Sequence, residues 1–286
     1  MLDRTSVGAR SAPHVRAWTP DDALLYSLAL GAGSDQLDLV TENSEGVTQR
    51  MLPTYAALLA GGSRPLRDRL GDWPAHATVH GAQRVALPGP LPVGGEVEVV
   101  STVARIADKG SGALLEIEAT GTDRATGTEV FSALTSLFLR GQGWGEPTRG
   151  TERDPVPDRE PDLVVEAPTD PGQALLYRLC GDRNPLHSDP AFAARAGFER
   201  PILHGLCTWG VTARVLLKEL AAGGLADPLG RVASYSGRFR APVVPGEQLT
   251  IRAWRTGPDA WAHTTSAGGR VVVDRGELVL RSEAAG

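Results

Sequence analysis

Cysteine and long apolar runs are scarce in this chain of 286 residues. Its two cysteines, Cys180 and Cys207, are too few for a disulfide framework. No apolar run approaches the roughly 20 residues that a membrane helix requires. Residues 1–16 carry charges but lack the apolar segment of a signal peptide. We therefore expect a cytoplasmic protein that has no membrane partner.

The charge balance and the missing motifs exclude further functions. With 34 acidic and 29 basic residues, the net charge is −5, so no global field would attract nucleic acid. Neither Gly-x-x-x-x-Gly-Lys nor Gly-x-Gly-x-x-Gly occurs, which disfavours nucleotide chemistry, and Gly-x-Ser-x-Gly does not occur either. Only Lys109 and Lys218 are lysine, a bias toward arginine that we attribute to overall composition.

The chain contains an internal duplication. Its middle, residues 141–162, has four prolines and no apolar periodicity, which is the composition of a linker. The sequence ALLY at 23–26 recurs at 174–177, an offset of 151 residues, and the strand start at 94–99 recurs at 246–251, an offset of 152. Two matches in nearly the same register predict two related domains, 1–140 and 163–286.

Local signals predict an α+β fold in both halves. A capping threonine followed by proline predicts a helix from Thr19 to about Leu30, and residues 169–171 repeat that start. After Gly205, apolar residues recur on one helical face as far as 223–224. Alternating patterns predict strands over 97–103, 114–119, 130–139, 231–240, 249–254, 271–273 and 278–280, with turns at 110–112, 126–127 and 268–269. These elements predict an antiparallel sheet curled around a helix, present twice.

Residues 177–205 carry the candidate chemistry. Asp182 and His187 flank Asn184-Pro185, where a helix cannot continue because proline restricts the residue before it. The two side chains therefore lie on a turn, where a carboxylate and an imidazole can hold and activate a water molecule. Asn184 can support that turn through side-chain to backbone hydrogen bonds. The same pattern also fits an ordinary Asx turn, so a purely structural interpretation stays open.

His204-Gly205, at the start of the apolar helix, adds a candidate oxyanion donor. The first N–H groups of a helix have no internal partner and lie at the positive end of its dipole. The N–H of Gly205 can therefore donate to an oxygen that gains negative charge. Together with the acid/base pair, this donor predicts enolate chemistry.

The run GDRNPLH (181–187) with PILHG (201–205) resembles the signature of the MaoC-like dehydratases, also called hydratase 2. The similarity covers residues 18–280 and includes LPTY (52–55), VHGAQ (79–83), DKGSG (108–112) and RFRAPVVPGE (238–247). It implies a double hot-dog fold, in which an extended antiparallel sheet wraps a central helix in each half. It also implies (R)-specific hydration of trans-2-enoyl-CoA without a cofactor, because CoA is part of the substrate.

The resemblance assigns the site residue by residue. It implies that Asp182 and His187 form the acid/base pair, that Gly205 supplies the oxyanion amide and that Asn184 supports the turn. The implied acyl-CoA-binding positions are His80, Gly81, Lys109, Arg183, Pro185, Leu186 and Phe239. For Lys109, a hairpin lysine exposed to solvent is an equally acceptable interpretation.

The duplication predicts one site per chain. The offset places Gly31 opposite Asp182 and Gln36 opposite His187, so the first half lacks both catalytic groups. That half is then free to hold the acyl tail and CoA. The resemblance implies a shortened central helix there, which fits the short apolar stretch at 52–60.

Several alternatives stay open. A zinc site built from Cys180, His187, His204 and Cys207 is disfavoured because no Cys-x-x-Cys pair occurs, and we expect no metal. The same fold serves acyl-CoA thioesterases, and a non-catalytic acyl-CoA-binding subunit is a further alternative. We expect a homodimer, because exposed sheet edges favour pairing. The acyl group and the physiological direction are not indicated by the sequence.

Overall fold

The alternating segments of both halves fold into strands of a single sheet. A computed structural model describes residues 1–74, 77–148 and 154–283. In these residues the strands are β1 His14–Trp18, β2 Thr78–Ala86, β3 Gly95–Asp108, β4 Gly112–Asp123, β5 Glu129–Arg140, β6 Leu163–Pro168, β7 Val232–Phe239, β8 Gln248–Gly257, β9 Ala260–Ala267 and β10 Arg270–Leu280. They pair antiparallel in the order β1-β3-β4-β5-β2-β7-β10-β9-β8-β6.

The strand order reveals the duplication. The first half has the order β1-β3-β4-β5-β2, and the second half has the equivalent order β6-β8-β9-β10-β7. The halves meet where β2 pairs with β7, from Ala82 opposite Arg238 to Ala86 opposite Ser234. The expected double hot-dog architecture is confirmed, with one difference. The two predicted sheets join edge to edge into one continuous sheet.

The helices pack against this sheet. They are α1 Pro20–Ala29, α2 Leu37–Val40, α3 Ala56–Ala60, α4 Gln173–Tyr177, α5 Pro190–Arg195 and α6 Gly205–Ala222. Five short 3₁₀ segments are also described, at Arg4–Ser6, Pro53–Tyr55, Arg64–Arg69, Arg178–Cys180 and Pro185–His187. Every residue of α6 from Cys207 to Leu217 is buried, so this helix forms the centre of the second half. None of the helices in the described ranges combines the length and apolar character needed to cross a bilayer.

The predicted helix starts are only partly reproduced. At α1 the predicted N-cap residue, Thr19, is confirmed, and it forms a capping box with Asp22, in which each side chain accepts from the other residue's backbone N–H. In the second half, α4 begins at Gln173 rather than at 169–171. The reason is that Asp170 Oδ1 accepts a hydrogen bond from Gly172 N at 2.6 Å, which forms an Asx turn ahead of the helix. The predicted end of α6 at 223–224 is confirmed.

Four strands were not predicted: β1, β2, β6 and β9. The two short segments 271–273 and 278–280 prove to be parts of one strand, β10, which contains a register shift between Asp274 and Glu277. Arg275 has a φ of 49° at this shift, and Gly276 packs against the ring of His263. An irregularity of this kind interrupts the alternating pattern from which strands are predicted.

The predicted linker at 141–162 connects β5 to β6, and its residues 149–153 lie outside the described residues. Its beginning packs against the β3–β4 hairpin. Asp108 Oδ2 accepts hydrogen bonds from Trp144 N at 2.9 Å and Glu146 N at 2.7 Å, and Asp108 Oδ1 accepts one from Gly110 N at 2.7 Å. The first part of the linker is therefore attached to the first half.

Candidate active site

Local hydrogen bonds build the turn that carries Asp182 and His187. Asp182 Oδ1 accepts from the N–H of Asn184 at 3.2 Å, and Asn184 Oδ1 accepts from the N–H of Leu186 at 3.1 Å. Pro185 then opens the 3₁₀ turn Pro185–His187, a position where its missing N–H removes no hydrogen bond. Asn184 thus holds the acidic and imidazole side chains on opposite ends of one short turn.

The turn brings Asp182 and His187 together with a third residue, His204. One ring nitrogen of each histidine and one carboxylate oxygen of Asp182 lie within 4.8 Å of one another. The two imidazole rings stack, with centroids 3.7 Å apart and planes tilted by 26°. His187 is 8% exposed and His204 is 1% exposed, whereas Asp182 is half-buried. The acid/base cluster therefore lies at the border between the protein interior and an open space.

His187 is arranged as a neutral base. Its Nδ1 lies 2.8 Å from the Ile202 carbonyl oxygen, which can only accept, so Nδ1 carries the proton and Nε2 keeps its lone pair. Burial lowers the pKa of His187 below its ordinary value, against the Ile202 hydrogen bond and the charge of Asp182, which raise it. At neutral pH the ring is therefore neutral, and Nε2 can accept a proton from water.

Gly205 presents its N–H at the first turn of α6. The first intrahelical bond runs from the N–H of Thr208 to the carbonyl of His204 at 3.1 Å, so the N–H of Gly205 precedes it. A side chain at this position would lie 3.3 Å from the ring of Phe239. Glycine therefore permits the close packing of Phe239 against the start of the helix.

A cavity of about 720 Å³ adjoins this cluster. From the second half, its lining includes Asp182, Gly181 and Leu206, and from the first half it includes the end of α3 and part of β2. Arg16, Arg64 and Arg67 also line it. The cavity is thus shared between the halves, with Asp182 supplied by the second and the cationic groups by the first, whereas His187 lies next to Asp182 outside the lining.

His80 and Gly81, two of the predicted binding residues, lie on β2. His80 lines the cavity, its Nε2 is 3.1 Å from Gln83 Oε1, and its ring packs edge-on against Phe239 with centroids 4.8 Å apart. Burial lowers the pKa of His80 to about 4, so the ring is neutral. Gly81 occupies a register shift in the β2–β5 pairing, where a side chain would lie 3.3 Å from the Ser136 carbonyl oxygen.

Of the predicted binding residues, only His80 is among the described residues that line this cavity, and Gly81, Phe239 and the remaining four lie outside the lining. Lys109 is in the β3–β4 hairpin, where its Nζ donates to the Thr148 carbonyl at 3.1 Å. Arg183 and Pro185 are exposed, and Leu186 is half-buried, on the turn behind Asp182. The structure therefore brings His80 to the acid/base cluster, whereas it does not bring Lys109 there.

Sequence reasoning missed two contributors to the site. The sequence suggests His204 only as a disfavoured zinc ligand, although its position next to Gly205 indicates that it lies close to the oxyanion donor. The arginines of the first half come from separate segments, and no motif links Arg16 to Arg64. Only the folded arrangement shows that they face the same cavity as Asp182.

The geometry of the two histidines weighs against a metal site. The lone pairs of an imidazole lie in the plane of the ring, and a zinc–nitrogen bond is about 2.0–2.1 Å long. Two rings that stack 3.7 Å apart at 26° cannot both direct in-plane lone pairs at one ion over that distance. Cys180 and Cys207 are free thiols, and burial raises both pKa values, which disfavours thiolate ligands.

Comparison with known proteins gives consistent matches over the chain. Residues 152–276 match the family described as MaoC like domain, and residues 17–141 match the MFE-2 hydratase 2 N-terminal domain. The 3-hydroxyacyl-thioester dehydratase Y of Mycobacterium tuberculosis is 44% identical, over 97% of this chain and 98% of that protein. The peroxisomal enoyl-CoA hydratase 2 of Arabidopsis thaliana is 36% identical, over 87% of this chain and 86% of that protein. A solved MaoC-like dehydratase from Phytophthora capsici aligns with a TM-score of 0.85 and 30% identity, over 99% of each chain.

Proposed function

The chain belongs to the MaoC-like dehydratase family, and we propose that it is an (R)-specific enoyl-CoA hydratase. The reaction adds water to trans-2-enoyl-CoA and gives (3R)-3-hydroxyacyl-CoA, and it is reversible. The observation that carries the proposal is the meeting of Asp182, His187 and the start of α6 beside one cavity. No cofactor is needed, because the residues of the chain supply the base and the oxyanion donor.

Each group has a distinct task in this mechanism. His187 Nε2 accepts a proton from water as the water oxygen attacks C3, and the Asp182 carboxylate orients that water by accepting its other hydrogen. The thioester carbonyl accepts the N–H of Gly205, which stabilises the enolate. The proton is then returned to C2 on the same face. A positioned base or an oxyanion donor each contributes on the order of 10² to 10⁴ in rate.

Two other functions use the same fold. A thioesterase would direct the water to the thioester carbonyl carbon instead of C3 and release a free thiol. A binding-only subunit would have no need of a neutral His187 beside Asp182. The relatives named above are a dehydratase and a hydratase, which supports hydration over both alternatives.

We propose that the first half binds the anionic end of CoA. Among the described residues that line the cavity, Asp182 is the only acidic one, while Arg16, Arg64 and Arg67 are cationic. Arginine suits phosphate groups because its planar guanidinium can donate two parallel hydrogen bonds. Lys109 stays a candidate contact for a phosphate that extends beyond the cavity.

The test is an assay of the purified protein with enoyl-CoA thioesters of different length and branching. We expect loss of the conjugated double bond, a 3-hydroxyacyl product of R configuration and no release of free thiol. Asp182→Asn should reduce kcat by about 10² or more while the unfolding midpoint stays the same. Asp35→Asn, an exposed partner of Lys218, is the matched control and should leave kcat unchanged. Release of free thiol would instead identify a thioesterase, and tight binding without turnover would identify a binding subunit.

We also propose that the protein is cytoplasmic and forms a homodimer. Exposed leucines on α1 and α4, including Leu28 at 46% and Leu175 at 56%, support self-association. Light scattering after size-exclusion chromatography measures the mass directly, and a monomer at micromolar concentration would contradict the dimer.

A further inference from the structure

Two histidines connect the two segments that form the active site. His187, on the turn with Asp182, donates Nδ1–H to the Ile202 carbonyl at 2.8 Å. His204, at the start of α6, has its Nε2 3.1 Å from the Asp182 carbonyl. Because that oxygen can only accept, Nε2 of His204 carries the proton. Each imidazole therefore bonds the backbone of the other's segment, and we call this reciprocal pair the histidine clamp.

His204 is held tightly within the clamp. Its ring stacks on His187 on one side, and Tyr177 packs against it with centroids 4.8 Å apart. Its Nδ1 is buried and has no hydrogen-bond partner among the described residues, so the bond to Asp182 is the one that orients the ring. Burial, together with the nearby His187, lowers the pKa of His204 to about 4. A neutral ring can stack on His187 without opposing the charge that His187 gains during catalysis.

The position of His204 links all three groups that the mechanism uses. It bonds the backbone of Asp182, stacks on His187 and is joined covalently to Gly205. None of its atoms needs to touch the substrate for it to affect the reaction. A displacement of about 1 Å of a reacting group can lower a rate by 10²-fold.

We propose that His204 is a positioning residue for hydration, because it fixes the backbone of Asp182 against His187 and the N–H of Gly205. This inference rests on the proposed function, since it concerns the same site. It adds to the acid/base pair a residue that acts entirely through other residues.

Two substitutions separate the hydrogen bond from the stacking. His204→Phe keeps an aromatic ring against His187 but removes the donor to the Asp182 carbonyl. His204→Gln removes the ring but keeps an N–H at nearly the reach of Nε2. We expect His204→Phe to lower kcat by about 10- to 100-fold, with KM for enoyl-CoA within about threefold of wild type. His204→Gln should recover a large part of that loss, within about fivefold of wild-type kcat.

Controls make the outcomes distinguishable. Unfolding midpoints and circular dichroism establish that each variant is folded, and nitrogen NMR of the wild type should find the proton of His204 on Nε2. The inference is overturned if His204→Phe keeps kcat within twofold, if Phe and Gln lower kcat equally, or if the proton is on Nδ1. A wild-type protein that does not hydrate any enoyl-CoA would overturn the proposed function first, and the positioning role with it.

Discussion

At the places where the second half has Asp182 and His187, the first half has Gly31 and Gln36. Arg214 of α6 fills the space between them. Its Nε donates to the Leu30 carbonyl at 3.0 Å, and its NH1 donates to Gln36 Oε1. A side chain at Gly31 would lie 3.5 Å from the Arg214 guanidinium. The position equivalent to the acid/base pair is thus occupied by a buried cation of the same chain.

The lengths of the two central helices explain why the space beside Gly31 is filled whereas the space beside Asp182 is open. By the 151-residue offset, Ala60, the last residue of α3, corresponds to Val211, but α6 continues to Ala222. The extension carries Arg214 and Lys218. The equivalent space beyond α3 contains the cavity, lined by Ala57, Leu58 and Gly61. The shorter α3 therefore leaves space for the cavity beside Asp182, whereas the longer α6 fills the equivalent space beside Gly31.

The largest effect should come from a comparison of single substitutions at the two equivalent positions, His187 and Gln36. We expect His187→Asn to lower kcat by about 10² to 10⁴, because the general base is lost. Gln36→Glu keeps an acceptor for Arg214 and should leave kcat within about twofold of wild type. Steady-state kinetics with one enoyl-CoA measures both. A comparable loss in Gln36→Glu would show that the first half takes part in the chemistry, which would break the comparison.

The parts of the fold that sequence could predict depend on local rules. The N-cap at Thr19, the apolar periodicity of α6 and the turn at Asn184-Pro185 involve residues within a few positions of each other. β2 and β9 were missed because their character depends on distant partners. β2 contains the register shift at Gly81 and joins the halves through β7, and β9 is composed mainly of alanine, threonine and serine.

The same distinction applies to the site. Asp182 and His187 could be found because they are only five positions apart, and the relation of Gly205 to the following helix is local. The bond from His204 to the Asp182 carbonyl spans 22 residues, and the bond from Arg214 to Gln36 spans 178. Such contacts follow from the packing of whole elements, and no spacing in the sequence encodes them.

The next test concerns Arg214, which fills the space beside Gly31 and Gln36. Its substitution should lower the stability of the protein and leave the activity unchanged. Arg214→Leu removes the donors to the Leu30 carbonyl and to Gln36. A buried acceptor left without a partner costs about 1–3 kcal/mol, and we expect the free energy of unfolding to fall by that amount. Lys218→Met, one turn later, breaks an exposed ion pair with Asp35 that contributes about 0–1 kcal/mol. Urea unfolding measures both, and equal losses would contradict a special role for Arg214.

The smallest effect should come from the cavity beside α3, where the first half is expected to bind CoA. Arg64 is exposed and lines the cavity, and its guanidinium has no hydrogen-bond or ion-pair partner among the described residues. Losing one charge-assisted contact of about 1.5 kcal/mol should raise KM for enoyl-CoA by about tenfold in Arg64→Ala. The matched control is Arg69→Ala, in the same 3₁₀ segment but outside the cavity lining.

A truncated substrate makes the test of Arg64 specific. An N-acetylcysteamine thioester keeps the reacting enoyl group but has no phosphates, so Arg64→Ala should leave its kcat/KM unchanged. Because a general disturbance of the site would impair both substrates, a selective loss with enoyl-CoA isolates a phosphate contact. Equal losses with both substrates would mean that Arg64 supports the shape of the cavity. The first half would then contribute walls to the site and no recognition of the CoA phosphates through this residue.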